Sequence, residues 1–286
     1  MNRTRLIQLG FGFIVILPIT GFAAPSVTPL PKQDVFLPLI ADPKEPRFHM
    51  SLLSVDSEAN DSTVAAVGFG ENFGIARWPG DTPNEGWQLN FSAAVFSQFN
   101  LDAPSDELIN ADYLVGFPLS YRDGDWSMRL RFYHQSSHLG DEYVLRVHPD
   151  RINLSYESVE FIGSYEWNGI RVYGGGEYLA FREPEELEPK IAHAGVEYRA
   201  EKPFWKISTL GAAWPIVGLD IRAWEQHDWE AAKSLKLGLE FRPQHDVERS
   251  GRYWNLNLEL YDGPSPYGQF YMHEVSYYGI SMVLHL

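Results

Sequence analysis

After residue 47 the sequence alternates apolar and polar residues with period two, segment after segment, and few folds tolerate that. Trp87, Leu89, Phe91, Ala93, Val95 and Phe99 fall on one side of an extended chain, broken only by Ser97. Gln88, Asn90, Ser92 and Gln98 fall on the other. Trp126, Met128, Leu130 and Phe132 oppose Ser127, Arg129 and Arg131 in the same way. Leu235, Leu237, Leu239 and Phe241 oppose Lys236, Glu240 and Arg242. Trp254, Leu256, Leu258 and Leu260 oppose Asn255, Asn257 and Glu259. A helix would scatter these residues around its axis, whereas a strand sorts them onto two faces. No stretch of useful length carries a helical apolar stripe.

Turn signals divide the segments. Asp123-Gly124 and Asn168-Gly169 are two-residue hairpin signals. The segments run to about ten residues, the length of a tilted membrane-crossing strand. Many start or stop at Trp or Tyr, as interfacial girdles do. A soluble sandwich shares the period but turns its apolar face inward. The last strand favours the membrane: Tyr278, Ile280, Met282, Leu284 and Leu286 alternate to the final residue. That resembles the C-terminal assembly signal of outer-membrane barrels, although those signals usually end in an aromatic residue. The expected fold is an all-β, antiparallel up-and-down transmembrane β-barrel. About thirteen segments can be drawn, and a single-chain bacterial barrel has an even number. The expectation is therefore about twelve strands, with fourteen as the alternative. The pattern is weakest at 48–56, at 62–70 and around Trp214-Pro215.

The N-terminus supplies an address. Arg3 and Arg5 precede the apolar stretch from Leu6 to Phe22, and Gly21 and Ala23 are small residues at a cleavage position. This is the pattern of a secretory signal peptide over residues 1–23. Residues 24–47 hold Pro25, Pro29, Pro31, Pro38, Pro43 and Pro46 and read as an extended periplasmic or lumen-plugging extension. Residues 48–286 form the barrel. The chain has 23 basic and 38 acidic residues. Removing Arg3 and Arg5 leaves 21 against 38, a net charge of −17. That balance argues against nucleic acid as a partner. The expected partners are membrane lipids and the outer-membrane assembly machinery, and the expected location is the outer membrane. Without cysteine the chain has no disulfide scaffold or thiol chemistry.

Three strings go beyond the alternation: Ala41-Asp42-Pro43-Lys44-Glu45-Pro46-Arg47, the run from Tyr133 to Tyr143, and the run from Tyr261 to Tyr271. With Gly86-Trp87-Gln88-Leu89 and Asp112-Tyr113-Leu114-Val115-Gly116, they resemble an uncharacterised bacterial family catalogued as domain of unknown function 1207. The resemblance covers nearly the whole chain after residue 23. It implies an outer-membrane barrel and carries no activity to transfer.

The middle string holds the sharpest chemistry. Continuing the outward face past Phe132 puts His134 and Ser136 on it, two residues apart. This His-Gln-Ser arrangement is similar to that of outer-membrane phospholipase A, which follows it with Asn-Gly where this chain has Ser-His. A histidine can take the serine proton while a third polar group fixes its tautomer. Asn153, on the following strand, is the expected third group. The alternative is that His134 and Ser136 are polar rim residues, since Trp126 to His134 already spans the hydrocarbon. Tight turns at Asp123-Gly124 suit the periplasmic side and put His134 at the outer rim. Counting back through thirteen segments puts it at the opposite side.

His138, Asp141 and Glu142 could ligate calcium, the one cofactor considered; solvated loop charges are the simpler account. Arg129, Arg131, Arg222, Glu240, Arg242 and Glu259 form an expected polar cluster in the lumen. Gly174-Gly175-Gly176 lies in a strand pattern and reads as a bulge or a close approach, not a phosphate loop. Three function classes follow, in order: a non-enzymatic barrel with a structural or surface-interaction role in the envelope, a lipid-facing acyl hydrolase, and a narrow channel. A general porin would need a wider barrel.

Overall fold

The computed structural model describes residues 27–57, 61–82, 84–207, 211–243 and 251–286. The signal peptide expected over 1–23 lies outside the described residues. Twelve antiparallel strands close into a barrel: β1 (Phe48–Ser57), β2 (Ser62–Pro79), β3 (Gly86–Asn100), β4 (Glu107–Asp123), β5 (Trp126–Leu139), β6 (Leu154–Trp167), β7 (Ile170–Glu183), β8 (Lys190–Arg199), β9 (Gly211–Trp224), β10 (Ala231–Arg242), β11 (Tyr253–Pro264) and β12 (Glu274–His285). Each pairs with its sequence neighbours, and β12 pairs with β1 to close the wall. Twelve is the expected number. All three segments with the weakest pattern belong to the wall. Pro215 is tolerated in β9 because its missing N–H faces β8 just beyond the end of that strand, where its carbonyl accepts Ala200 N–H at 3.0 Å. Two short strands lie outside the barrel count: Thr28–Pro29 pairs with β2 and Trp205–Ile207 with β9.

The two ends differ. The turns at 124–125 and 168–169 share one end, here the turn end, with the start of β1 and the close of β12. The opposite loop end carries the long β5–β6 connection, with helix α1 (Asp141–Val147), and the β11–β12 connection. With twelve strands rather than thirteen, both ways of orienting the barrel agree. His134 and Ser136 stand near the loop end of β5.

The apolar face points out. Leu237, Leu256, Leu258 and Leu260 are all exposed, while Lys236, Glu240, Asn257 and Glu259 between them are buried. Spin labels at Leu239 and Glu240 should therefore differ sharply in access to a lipid-soluble quencher. Equal access would contradict this register.

The lumen is filled by the proline-rich segment. Phe36, Leu39, Ile40, Ala41, Asp42 and Glu45 are each at most 5% exposed. Prolines at 31, 38, 43 and 46 bar this segment from a ladder of its own, so its carbonyls need other donors. Wall arginines supply them: Arg122 Nε donates to the Val35 carbonyl at 2.6 Å, Arg171 Nη1 to Leu37 at 2.8 Å and Arg199 Nη2 to Pro38 at 3.0 Å. Arg47 folds back onto the carbonyls of Leu39, Ile40 and Asp42. Of the two places offered to residues 24–47, the part from Val35 to Arg47 takes the lumen.

The glycine run in β7 pairs continuously, without a bulge. Gly175 answers to close approach instead, since a Cβ there would overlap the Phe161 carbonyl oxygen. The irregularity in the β6–β7 ladder comes later, where Glu157 faces Phe181 and Ser158 faces Leu179, leaving Ala180 as the extra residue.

Candidate functional site

Polar side chains gather in two places, on the outer wall near the loop end and inside the lumen.

On the wall, the alternation of β5 carries His134 and Ser136 outward on the same face as the exposed Phe132. Register then decides their neighbours. His134 pairs across to Val115 on β4 and Glu157 on β6; Ser136 pairs to Tyr113 and Ser155. His134 Nδ1 lies 3.2 Å from Glu157 Oε1, with the two side chains 40% and 54% exposed. A carboxylate there holds the Nδ1–H tautomer and leaves Nε2 as the basic nitrogen. Among the described residues, no hydrogen bond joins Ser136 to His134. The bulge at Ala180 lies against Glu157, and such irregularities re-aim side chains beside sites. An open groove of about 930 Å³ runs alongside, with Ser136, Asn153, Glu157, Phe181 and Glu183 in its lining.

The expected third group, Asn153, does not meet His134. Asn153 stands just before β6, one residue past the last β5–β6 pair at Ser137–Leu154, and so four residues from the partner of His134. Its amide donates to Glu183 instead. The long β5–β6 connection carries no tight turn, so the sequence alone leaves this register open. The outward parity of Glu157 was readable; its alignment with His134 was not.

The three residues that could ligate calcium are not gathered into a metal-holding group among the described residues. His138 packs edge-on against Tyr113, and Glu142 accepts the Ser105 hydroxyl at 2.6 Å. Asp141 sits in the first turn of α1. Among the described residues no three His, Asp or Glu side chains could hold a metal ion. These residues do not fit the ion.

Inside, the six expected polar residues are held in separate groups. Glu160 binds Arg129 at 3.0 Å and Arg131 at 2.6 Å, and stands 3.6 Å from Arg222. Glu45 from the plug adds a second carboxylate to Arg129 at 2.8 Å. Glu240 pairs with Arg242 at 3.0 Å, and the Arg242 guanidinium lies 4.0 Å over the Trp214 ring. Glu259 pairs with Lys236 at 3.3 Å. Glu45 and Glu160 lie outside the cluster expected from the alternation. Glu160 had a usable signal, because it alternates inward with Ser158 and Ile162.

The family-like strings converge here. Lys44 of the plug pairs with Asp112, and its ammonium lies 4.7 Å from the Phe96 ring centroid and 4.4 Å from that of Tyr267. Asp112 also accepts the Ser137 hydroxyl and the Gly268 N–H. Gln269 donates to the carbonyls of Ser137 and Ile152 at 2.8 and 2.9 Å. The proline-containing loop thus tucks into the barrel mouth and bolts plug to wall. Burial pushes Lys44 down from its ordinary range, opposed by Asp112.

Near the turn end, Asp34 accepts Gln88 Nε2 at 2.9 Å and Asn90 Nδ2 at 2.5 Å. Burial raises its carboxyl from 3.8 to about 7; the Asn90 hydrogen bond opposes the rise, and Glu71 and Glu45 add to it. A carboxyl raised on folding favours the fold most while protonated. Its contribution is complete below 3.8 and is lost as pH climbs through about 7. Melting temperatures in micelles should accordingly decline across that window, and Asp34→Asn should flatten the decline. An unchanged slope in that variant would assign the pH dependence to another group.

The protein-family model described as "Protein of unknown function (DUF1207)" matches residues 19–286. No curated protein matches the chain. Among solved structures, outer membrane phospholipase A from Escherichia coli is similar, with a TM-score of 0.53 at 11% identity, covering 84% of this chain and 93% of that one. The Salmonella typhi outer membrane phospholipase dimer with bound calcium gives 0.51 at 12% identity, covering 85% and 93%. An active-site mutant of the E. coli enzyme at pH 6.1 gives 0.54 at 13% identity, covering 87% and 93%. At such identities the likeness is one of fold.

Proposed function

This chain belongs to the DUF1207 family, and we propose that it is an outer-membrane serine hydrolase cutting acyl esters of membrane lipids. The observation that carries the reading is Glu157 Oε1 at 3.2 Å from His134 Nδ1, with Ser136 two residues further along the same lipid-facing side. Short turns usually lie on the periplasmic side of such barrels, so the loop end faces outward. His134 and Ser136 then stand at the outer rim, where an acyl ester of phospholipid or lipid A in that leaflet would meet them. The exposed Phe132 and Phe181 offer apolar contact to its chains.

The chemistry needs no further group to balance. Ser136 Oγ adds to the ester carbonyl while His134 Nε2 takes its proton. The C–O bond to the alcohol breaks as His134 returns that proton to the leaving oxygen. Water, deprotonated by the same nitrogen, adds to the acyl carbonyl, and the bond to Ser136 Oγ breaks as His134 returns the proton to Oγ, releasing a fatty acid. Glu157 acts through His134, fixing its tautomer and steadying the imidazolium.

The test is fatty-acid release from phospholipid and from lipid A by detergent-refolded protein, with and without calcium. Release that is independent of calcium agrees with the ungathered acidic residues. A folded protein inert toward both lipids would leave His134 and Ser136 as rim residues. That outcome would support the second reading, a non-enzymatic envelope barrel, which the lack of a Ser136–His134 hydrogen bond favours. Catalytic hydrogen bonds often close only once substrate binds. A channel is the third reading and would require the plug to leave the lumen.

A further inference from the structure

We propose that the loop end of the lumen holds a binding pocket for a single neutral, sugar-like polyol, separate from the wall site. A partly open cavity reaches from the plug at Asp42 and Lys44 to the connections that follow β9 and β11. All three long family-like strings line it. Asp42, Pro43 and Lys44 come from the first, Tyr133 and Gln135 from the second, and Tyr261, Pro264, Ser265 and Pro266 from the third. The fold thus brings three segments far apart in sequence to one cavity.

Its polar groups are not saturated. Arg131 is 1% exposed, yet its Nε and Nη1 have no hydrogen-bond partner among the described residues. The same holds for Asp42 Oδ2 and Ser234 Oγ, in residues 0% and 1% exposed. Buried groups left so are costly, and a ligand or water would have to meet them. Donors from Arg131 and an acceptor on Asp42 ask for a partner that both accepts and donates, as a hydroxyl does. The lining charges balance: Asp42, Asp220 and Glu230 against Lys44, Arg131 and Arg222. A bare anion or cation would therefore gain little net Coulomb energy. Tyr133, Tyr156, Trp224 and Tyr261 supply aromatic walls, which suit the C–H faces of a sugar ring. Its source is either a free monosaccharide or the terminal residue of a surface glycan.

The test is saturation-transfer NMR on the full barrel in micelles, using glucose, galactose and N-acetylglucosamine, with acetate and choline as charged controls. Saturable transfer to a neutral sugar and none to the controls is expected. Pro266→Trp and Ser234→Leu, which each put a larger apolar side chain into the lining, should each weaken it by about tenfold or more. Heat-modifiable gel mobility shows that each variant is folded. Equal binding to an oligosaccharide ending in the same sugar assigns the ligand to glycan ends; loss with length assigns it to free sugar. No transfer from any neutral sugar, stronger transfer to acetate or choline, or transfer unchanged in a folded Pro266→Trp variant would overturn the proposal.

Discussion

Ser136→Ala should lower lipid acyl hydrolysis by about a thousandfold or more and leave the barrel assembled. The side chain is half-exposed on the wall and has no hydrogen bond of its own among the described residues, so its removal disturbs no packing. His134→Ala should cause a loss of similar size. The double variant should be no worse than either, because a nucleophile and its base act as one unit. Glu157→Gln should cost less, about a hundredfold, since water can partly replace a half-exposed carboxylate at Nδ1. Asn153→Ala should change little, as its amide is engaged with Glu183. That last pair separates the register seen here from the one the sequence suggested. Kinetics in mixed micelles would decide it, and a larger loss in Asn153→Ala than in Glu157→Gln would reinstate Asn153 as the orienting group.

Glu160→Leu should be the most damaging single change to stability, at about 3–5 kcal/mol. One fully buried carboxylate serves Arg129, Arg131 and Arg222. Arg129 would keep Glu45 and Arg222 would keep Glu177. Among the described residues Arg131 would keep no ion-paired carboxylate, only the face of Tyr133, 4.8 Å away, and the longer-range attraction of Asp42. Leucine fills the space but returns none of that attraction. Urea titrations read by heat-modifiable mobility give the number, and a loss below about 1 kcal/mol would mean that the network behaves like an exposed pair.

Alternation made the strand faces legible, because each side chain in a strand has only two directions to take. Hairpin dipeptides gave the edges of β4, β5, β6 and β7. The inward direction of Arg129, Arg131, Glu240 and Glu259 is therefore legible without their partners. The partners were not legible, since they come from elements far apart in sequence. Glu45 reaches Arg129 only because the proline-rich segment enters the lumen, and nothing in its composition chooses between inside and outside. The wall site failed at one step. His134 and Ser136 share a face by parity, but the residue opposite them depends on how fourteen connecting residues, 140–153, bring β6 alongside β5. His138, Asp141 and Glu142 are likewise close in sequence without forming a metal-holding group among the described residues, since Asp141 and Glu142 start helix α1 while His138 belongs to β5.

The most direct test of the wall site is covalent. A lipophilic fluorophosphonate incubated with the folded barrel, followed by peptide mass mapping, should place the adduct on Ser136. His134→Ala should abolish the labelling, and Glu157→Gln should slow it. A correctly assembled barrel that takes up no probe, or takes it up at another serine, would contradict a hydrolase built on His134 and Ser136.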